Sequence, residues 1–121
     1  MPPNKNIIVL IGRLTEKPTL RQNPQGELAA ATLANEFHWI DRATGEKKKH
    51  VNFIPITAYG HTAKKLSRGE KGTPLCIEGK LRIKPWQNAG GSWVKAFDVV
   101  PKDVEFLESL EQTRKRGRNG E

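Results

Sequence analysis

The sequence predicts an all-β domain, a five-stranded Greek-key barrel with one short helix between the third and fourth strands. Three observations predict it. Apolar residues recur with period two over most of the chain, β-branched residues crowd those runs, and clusters of Gly, Pro, Asn and Asp separate them. A single stretch carries a helical pattern.

The elements follow in order. Asn6-Ile7-Ile8-Val9-Leu10-Ile11-Gly12-Arg13-Leu14 is β-branched and bounded by Pro18, so it reads as the first strand. Leu28 to Trp39 is the second, with an Ala-rich start. Asp41-Arg42-Ala43-Thr44-Gly45-Glu46 is turn chemistry, Gly45 being free to take a positive φ. Val51 to Tyr59 alternates and forms the third strand. His61 to Arg68 reads as the helix, ended by Gly69 and Gly72. Leu75 to Trp86 is the fourth strand, Asn88-Ala89-Gly90-Gly91 the next turn, and Ser92 to Val100 the fifth. Five strands with the helix in that place is the order of an OB-fold.

Side chains alternate along a strand, so parity assigns faces. In the fourth strand Leu75, Ile77, Gly79, Leu81 and Ile83 share one side, which is expected to be the core. The other side carries Lys80, Arg82, Lys84 and Trp86, and no acid occurs between Glu78 and Asp98. In the third strand Ile54, Ile56 and Ala58 point inward, leaving Phe53, Thr57 and Tyr59 outside. Phe53 and Tyr59 stand about 20 Å apart along the strand, too far to stack on each other. The first strand is apolar on both sides, with Ile7, Val9 and Ile11 on one and Ile8, Leu10 and Leu14 on the other. A second subunit is expected to cover the outward side.

Composition narrows the function. The 121 residues suit one domain, 36% of them hydrophobic and 28% charged. No apolar run is long enough for a spanning helix, and the N-terminus is too short for a secretory signal. Cys76 stands alone, and no Cys/His spacing suits zinc. The expectation is a cytoplasmic, nucleoid-associated protein with no metal and no cofactor. Lys plus Arg number 21 against 13 acids, a net +8, which favours a polyanionic partner. Residues 113–121 hold four of those bases and one acid, so residues 1–112 keep a net +5. The division expected is a binding domain over 1–112 and a basic tail without fixed structure over 113–121.

Aromatics interleaved with cations are what a single nucleic-acid strand requires. Every base has a π-face, so stacking on an aromatic ring tolerates any sequence, and Lys and Arg neutralise the phosphates. Trp86 follows Lys80, Arg82 and Lys84. Trp39 precedes Lys47, Lys48 and Lys49 across the first turn, and Trp93 lies beside Lys95. Each signal alone also suits a solvated strand face or a packing residue; their coincidence on predicted barrel faces is what points to nucleic acid. His38, His50 and His61 are scattered, and the acids are dispersed, so no catalytic group is expected.

These residues resemble the bacterial single-stranded DNA-binding protein family over roughly Asn4 to Leu107. The matching stretches are Asn6 to Leu14, Trp39-Ile40-Asp41-Arg42-Ala43-Thr44-Gly45-Glu46, Phe53-Ile54-Pro55-Ile56-Thr57-Ala58-Tyr59-Gly60, Ile77-Glu78-Gly79-Lys80-Leu81-Arg82 with Trp86, and Val99 to Leu107. The resemblance implies that Trp39, Phe53, Tyr59 and Trp86 stack bases, and that Lys71, Arg82 and Lys84 are basic contacts. It also implies a homotetramer of OB-folds that binds single-stranded DNA without a cofactor, catalyses nothing, and serves replication, recombination and repair.

The C-terminal part departs from the pattern. Most members of that family continue into a long Gly/Pro/Gln-rich linker with an acidic tip that recruits replication and repair proteins. Here a basic run leads to Asn119-Gly120-Glu121, which suits a natural short form and a cut chain equally, and recruitment through an acidic tip is not expected. The competing expectation is a primosome-type OB protein acting mainly as a protein-docking module. Retention of all four stacking aromatics favours the DNA binder.

Overall fold

The alternating runs form six strand segments in the computed structural model, which describes residues 3–109, 111–113 and 115. They are β1 (Ile8–Leu14), β2 (Thr19–Asn23), β3 (Gly26–Ile40), β4 (Lys47–Tyr59), β5 (Pro74–Gln87) and β6 (Trp93–Phe106), with helix α1 (Gly60–Leu66) between β4 and β5. β1 and β2 both lie antiparallel to β3, Leu14 opposite Leu33 and Thr19 opposite Ala30. They are one strand interrupted around Pro18, which cannot donate to a ladder. The sequence reading ended the strand at Pro18 and missed β2. All five β2 residues are exposed, so no apolar alternation marks it. Its signal is the turn that follows, where Asn23 Oδ1 accepts the Gln25 N–H at 3.1 Å and Gly26 takes a φ of 124°.

Pairing closes the sheet. β1 joins β5, β5 joins β6, β6 meets β4 in parallel at Val99 and Ile56, β4 pairs with β3, and β3 returns to β1. Counting β1 and β2 as one, this is the expected five-stranded OB barrel. Leu14, Leu33, Ile56, Leu75, Ile77 and Val99 fill it. Tyr59 is extended and Gly60 takes a φ of 62°, which turns the chain from β4 into α1. Ala63 and Leu66, three apart on α1, are buried in the barrel core. Lys64 and Lys65 occupy its last turn, where cations suit the helix dipole.

One expectation about the core needs correcting. Leu81 and Ile83 share the parity of Leu75 and Ile77 but are 39% and 58% exposed. On β6 the barrel lining runs on to Val99, but on β5 it stops at Gly79. There the register slips, Glu78 facing Asp103 and Gly79 facing Pro101, so Lys102 is an extra residue on β6. Such a bulge bends a strand and increases its twist. A Cβ on Gly79 would run into the Val100 carbonyl oxygen, so the close approach of the two strands requires glycine. Beyond the Leu81–Val99 pair β5 and β6 continue as a two-stranded ribbon outside the barrel. The Asn6 side chain anchors its base, donating to the Leu81 carbonyl at 2.7 Å and accepting the Leu81 N–H at 2.9 Å.

Near the C-terminus, Ser109 Oγ accepts the Gln112 N–H and Gln112 Oε1 accepts the Ser109 N–H, both at 3.1 Å. This reciprocal cap starts a helical turn at 111–113. Thr113 is buried and donates to Glu108 at 2.6 Å. Residues 114 and 116–121, most of the expected basic tail, lie outside the described residues.

Candidate nucleic-acid interface

Two long hairpins carry nearly all the residues singled out by sequence. β3 and β4 pair from Leu28–Tyr59 to Ile40–Lys47, and above the bulge β5 and β6 pair from Gly79–Pro101 to Gln87–Trp93. Each ends in a turn organised by its own side chain. Asp41 Oδ1 accepts the Ala43 N–H at 2.8 Å, and Asn88 Oδ1 accepts those of Gly90 and Ser92 at 3.0 Å. Gly45 and Gly91 supply φ values of 74° and 83°.

Register then fixes the faces, because residues opposite one another in an antiparallel pair share a side. Lys80, Arg82, Lys84 and Trp86 form the front of the β5–β6 ribbon, opposite Val100, Asp98, Ala96 and Val94. Trp93 and Lys95 stand on its back, opposite Gln87 and Pro85. On the other hairpin Phe53 and Tyr59 face outward on the side of Lys47 and Lys49, while Trp39 pairs with Lys48 on the reverse side. The four stacking candidates therefore do not share one flat face.

Arg82 joins the two hairpins. Its Nε and Nη2 grip Asp98 Oδ1 and Oδ2 at 2.9 and 2.7 Å, and Nη1 donates to the Tyr59 hydroxyl at 2.9 Å. The guanidinium carbon lies 5.5 Å from the Tyr59 ring centroid, within cation–π range. Thr57 donates to Asp98 Oδ2 at 2.7 Å, and Lys84 Nζ lies 3.8 Å from the same oxygen. Asp98 is buried. Its carboxyl is held below the ordinary range, chiefly by the Arg82 hydrogen bonds and with help from Thr57, against the opposing effect of burial. Arg82 is raised above its usual value, first by Asp98.

This alters the reading of Arg82 as a basic contact. Paired bidentately with a buried carboxylate, it adds no net charge to the front face; what it does is hold Tyr59. The positive field there comes from Lys80 and Lys84. Asp98 itself escaped the sequence reading, although counting eight residues out from Gly90 in each direction pairs it with Arg82.

The tip of the β3–β4 hairpin holds a second aromatic group. The Phe37 and Trp39 rings stack with centroids 5.5 Å apart at 29°, and His50 lies 5.4 Å from Phe37. Neither Phe37 nor His50 was singled out, although Phe37 has the parity of Trp39 and His50 sits opposite it. Lys48 reaches Glu46 at 3.0 Å, whereas no acid among the described residues pairs with Lys47, Lys49, Lys71, Lys80 or Lys95. Lys71 lies in the turn between α1 and β5, and from the start of β5 to Trp86 is about 40 Å of strand contour. The two are not brought together. Among the described residues no cluster of three or more His, Cys, Asp or Glu is placed to hold a metal.

An open surface of exposed aromatic rings and lysines without acidic partners among the described residues suits a long, flexible polyanion. The family model of the single-strand binding proteins matches residues 5–107, the barrel with both hairpins. The chain belongs to the single-strand binding protein family. Single-stranded DNA-binding protein 1 of Clostridium acetobutylicum is 29% identical over 109 residues, which is 88% of this chain and 97% of that protein. A solved structure described as the Plasmodium falciparum SSB complex with ssDNA matches with a TM-score of 0.79 at 24% identity, over 89% of this chain and 99% of that one. A deletion mutant of the single-stranded DNA binding protein from Thermus aquaticus matches at 0.74 and 25% identity, over 87% and 51%. The small single-stranded DNA-binding protein from Streptomyces coelicolor matches at 0.70 and 20%, over 91% and 99%. At 24% and 20% identity the likeness is one of fold. Single-strand binding family members bind without catalysis, and no helix among the described residues is long and apolar enough to cross a membrane.

Proposed function

We propose that this chain coats and protects single-stranded DNA with little sequence preference, stacking bases on aromatic rings and meeting phosphates with lysines. The observation that carries the reading is the front of the β5–β6 ribbon, where half-exposed Trp86 stands beside Lys80 and Lys84, with Tyr59 held by Arg82 at the ribbon's base. Phe53 extends this surface along β4, and Trp39 with Phe37 occupies the reverse of the neighbouring hairpin. Lys47, Lys48 and Lys49 at that hairpin's tip and Lys71 beyond α1 would follow the phosphates. The activity is binding rather than turnover, needs no cofactor, and belongs with replication, recombination and repair in the bacterial nucleoid.

The working form is a homo-oligomer, a tetramer on the family pattern. Ile7, Val9 and Ile11 are 71%, 60% and 58% exposed in one chain, a row of aliphatics that a second copy would cover. Residues 1–112 do the binding, and the bases of 113–121 add to the attraction.

Trp86→Ala tests the stacking model. Affinity for oligothymidylate should fall by roughly 1–3 kcal/mol, the usual range for one lost stack. The loss should persist at high salt, because stacking is not screened as ion pairing is. The melting temperature should stay near wild type, since Trp86 is half exposed. A destabilised variant with normal binding would mean that Trp86 is a packing residue.

A further inference from the structure

Val99 is the last residue on the back of the β5–β6 ribbon to enter the barrel core. Trp93, Lys95 and Phe97 alternate along it on β6, with Pro85 opposite Lys95 and Ile83 opposite Phe97. Trp93 is 72% exposed and Phe97 52%. Among the described residues neither ring packs against another aromatic, and Lys95 has no acidic partner.

A second copy of the chain and a strand of nucleic acid could both cover such a face, and charge separates them. On the back face, made by Ile83, Pro85, Trp93, Lys95 and Phe97, Lys95 is the one charged residue. Two ribbons laid back to back would set Lys95 against the Lys95 of the other copy, with no acid on that face to relieve the repulsion. A phosphate backbone meets only opposite charge along the same path. The outer face of β1 is of the other kind. Its aliphatic row lies beside Glu78, Asp103 and Glu105 as well as Arg13 and Lys80, a mixture that two copies can pair.

We propose that Trp93, Lys95 and Phe97 form a second base-stacking surface, so that one strand of DNA crosses the ribbon tip and is held on both faces. The inference rests on the proposed function and deepens it. Trp93 and Phe97 stand about 13 Å apart along β6, too far for one base to touch both. Each ring therefore takes its own base, and Lys95 between them meets the intervening phosphate. The front repeats this order with Trp86, Lys84 and the Tyr59–Arg82 pair. The two faces differ in that Asp98 restrains the cations of the front, while Lys95 is free.

The test uses the full chain carrying Trp39→Phe and Trp86→Phe, which keeps a stacking ring at both positions and leaves Trp93 as the one tryptophan. Oligothymidylate of about 16 nucleotides, the upper site size for one OB-fold, is added while the anisotropy of a label on the DNA reports binding independently. Trp93 emission should be strongly quenched as the DNA saturates. In the otherwise native chain, Trp93→Ala with Phe97→Ala should weaken binding about tenfold or more at high salt, without changing the mass seen by light scattering. Lys95→Gln should leave the high-salt affinity unchanged and flatten the salt dependence. Unchanged Trp93 emission on saturated protein overturns the inference while leaving the proposed function standing. A fall in mass in the double variant also overturns it and assigns the face to a second copy. Failure of the native chain to bind the DNA at all overturns the proposed function and this inference with it.

Discussion

Below Gly79, Leu75 and Ile77 are sealed inside the barrel, while above it Leu81 and Ile83 have the same parity and the same aliphatic chemistry yet are open to solvent. The outer side of β5 changes at the same place. Glu78 faces Asp103 across the pair below the bulge, whereas Lys80, Arg82 and Lys84 follow above it. Alternation therefore reports which side of a strand a residue occupies, and says nothing of whether another element lies against that side. Below Gly79 the opposing walls are β3, β4 and α1. Above it β4 reaches the ribbon only at its base, through Val99, Asp98 and Arg82, and Leu81 and Ile83 stay open to solvent.

The largest effect should come from substituting the two halves alike. Ile77→Ala empties a fully buried site and should cost roughly 2–5 kcal/mol in urea unfolding. Ile83→Ala, three turns of the pleat further on, should stay within about 0.5 kcal/mol. Equal losses would break the comparison and show that the ribbon is packed in solution.

Asp98→Asn comes next. It weakens the grip on Arg82 and should cost roughly 1–3 kcal/mol of stability. The sign of the pH dependence follows from the depressed carboxyl. The Asp98 contribution is fully present above the ordinary carboxylate range near pH 4, and is lost as pH falls through the lowered native value. The acid limb of a stability–pH curve should therefore be shallower in Asp98→Asn than in the native chain. Releasing Arg82 should also steepen the salt dependence of DNA binding by about 0.7 in slope, one added phosphate contact.

Lys84→Ala should move the same slope the other way by a similar or smaller amount, since Asp98 already restrains that lysine. The smallest effect is expected from removing residues 114–121, which deletes a net +3 but leaves Thr113 in place. Affinity should fall modestly at low salt and match the native chain at high salt.

The barrel was legible because its runs alternate and its turns are chemically marked; Gly45 and Gly91 take the backbone conformations their turns call for. β2 was not legible, since a fully exposed edge segment pairs through its backbone and leaves no apolar trace. In the candidate site, composition drew attention to the strands of the two hairpins. What it could not supply was pairing across strands. Arg82 looked like a free cation until Asp98, sixteen residues away in sequence, was found opposite it. Trp93 and Trp86 are both stacking candidates on one hairpin, and only register shows that they stand on opposite faces. Both facts follow from the position of the turn, and periodicity within a single strand contains neither.

The seam at Gly79 also governs how such a chain can diverge. Residues above it, apart from buried Val99 and Asp98, touch little of the core, so replacing, lengthening or recharging the outer ribbon should leave the barrel able to fold. Residues below it are mutually constrained by packing. Gly79 belongs to neither set, because any side chain there meets the Val100 backbone. Variation among descendants of this sequence should thus pool in the outer ribbon and halt at one glycine, letting the proposed binding surface be reshaped many times on an unaltered scaffold.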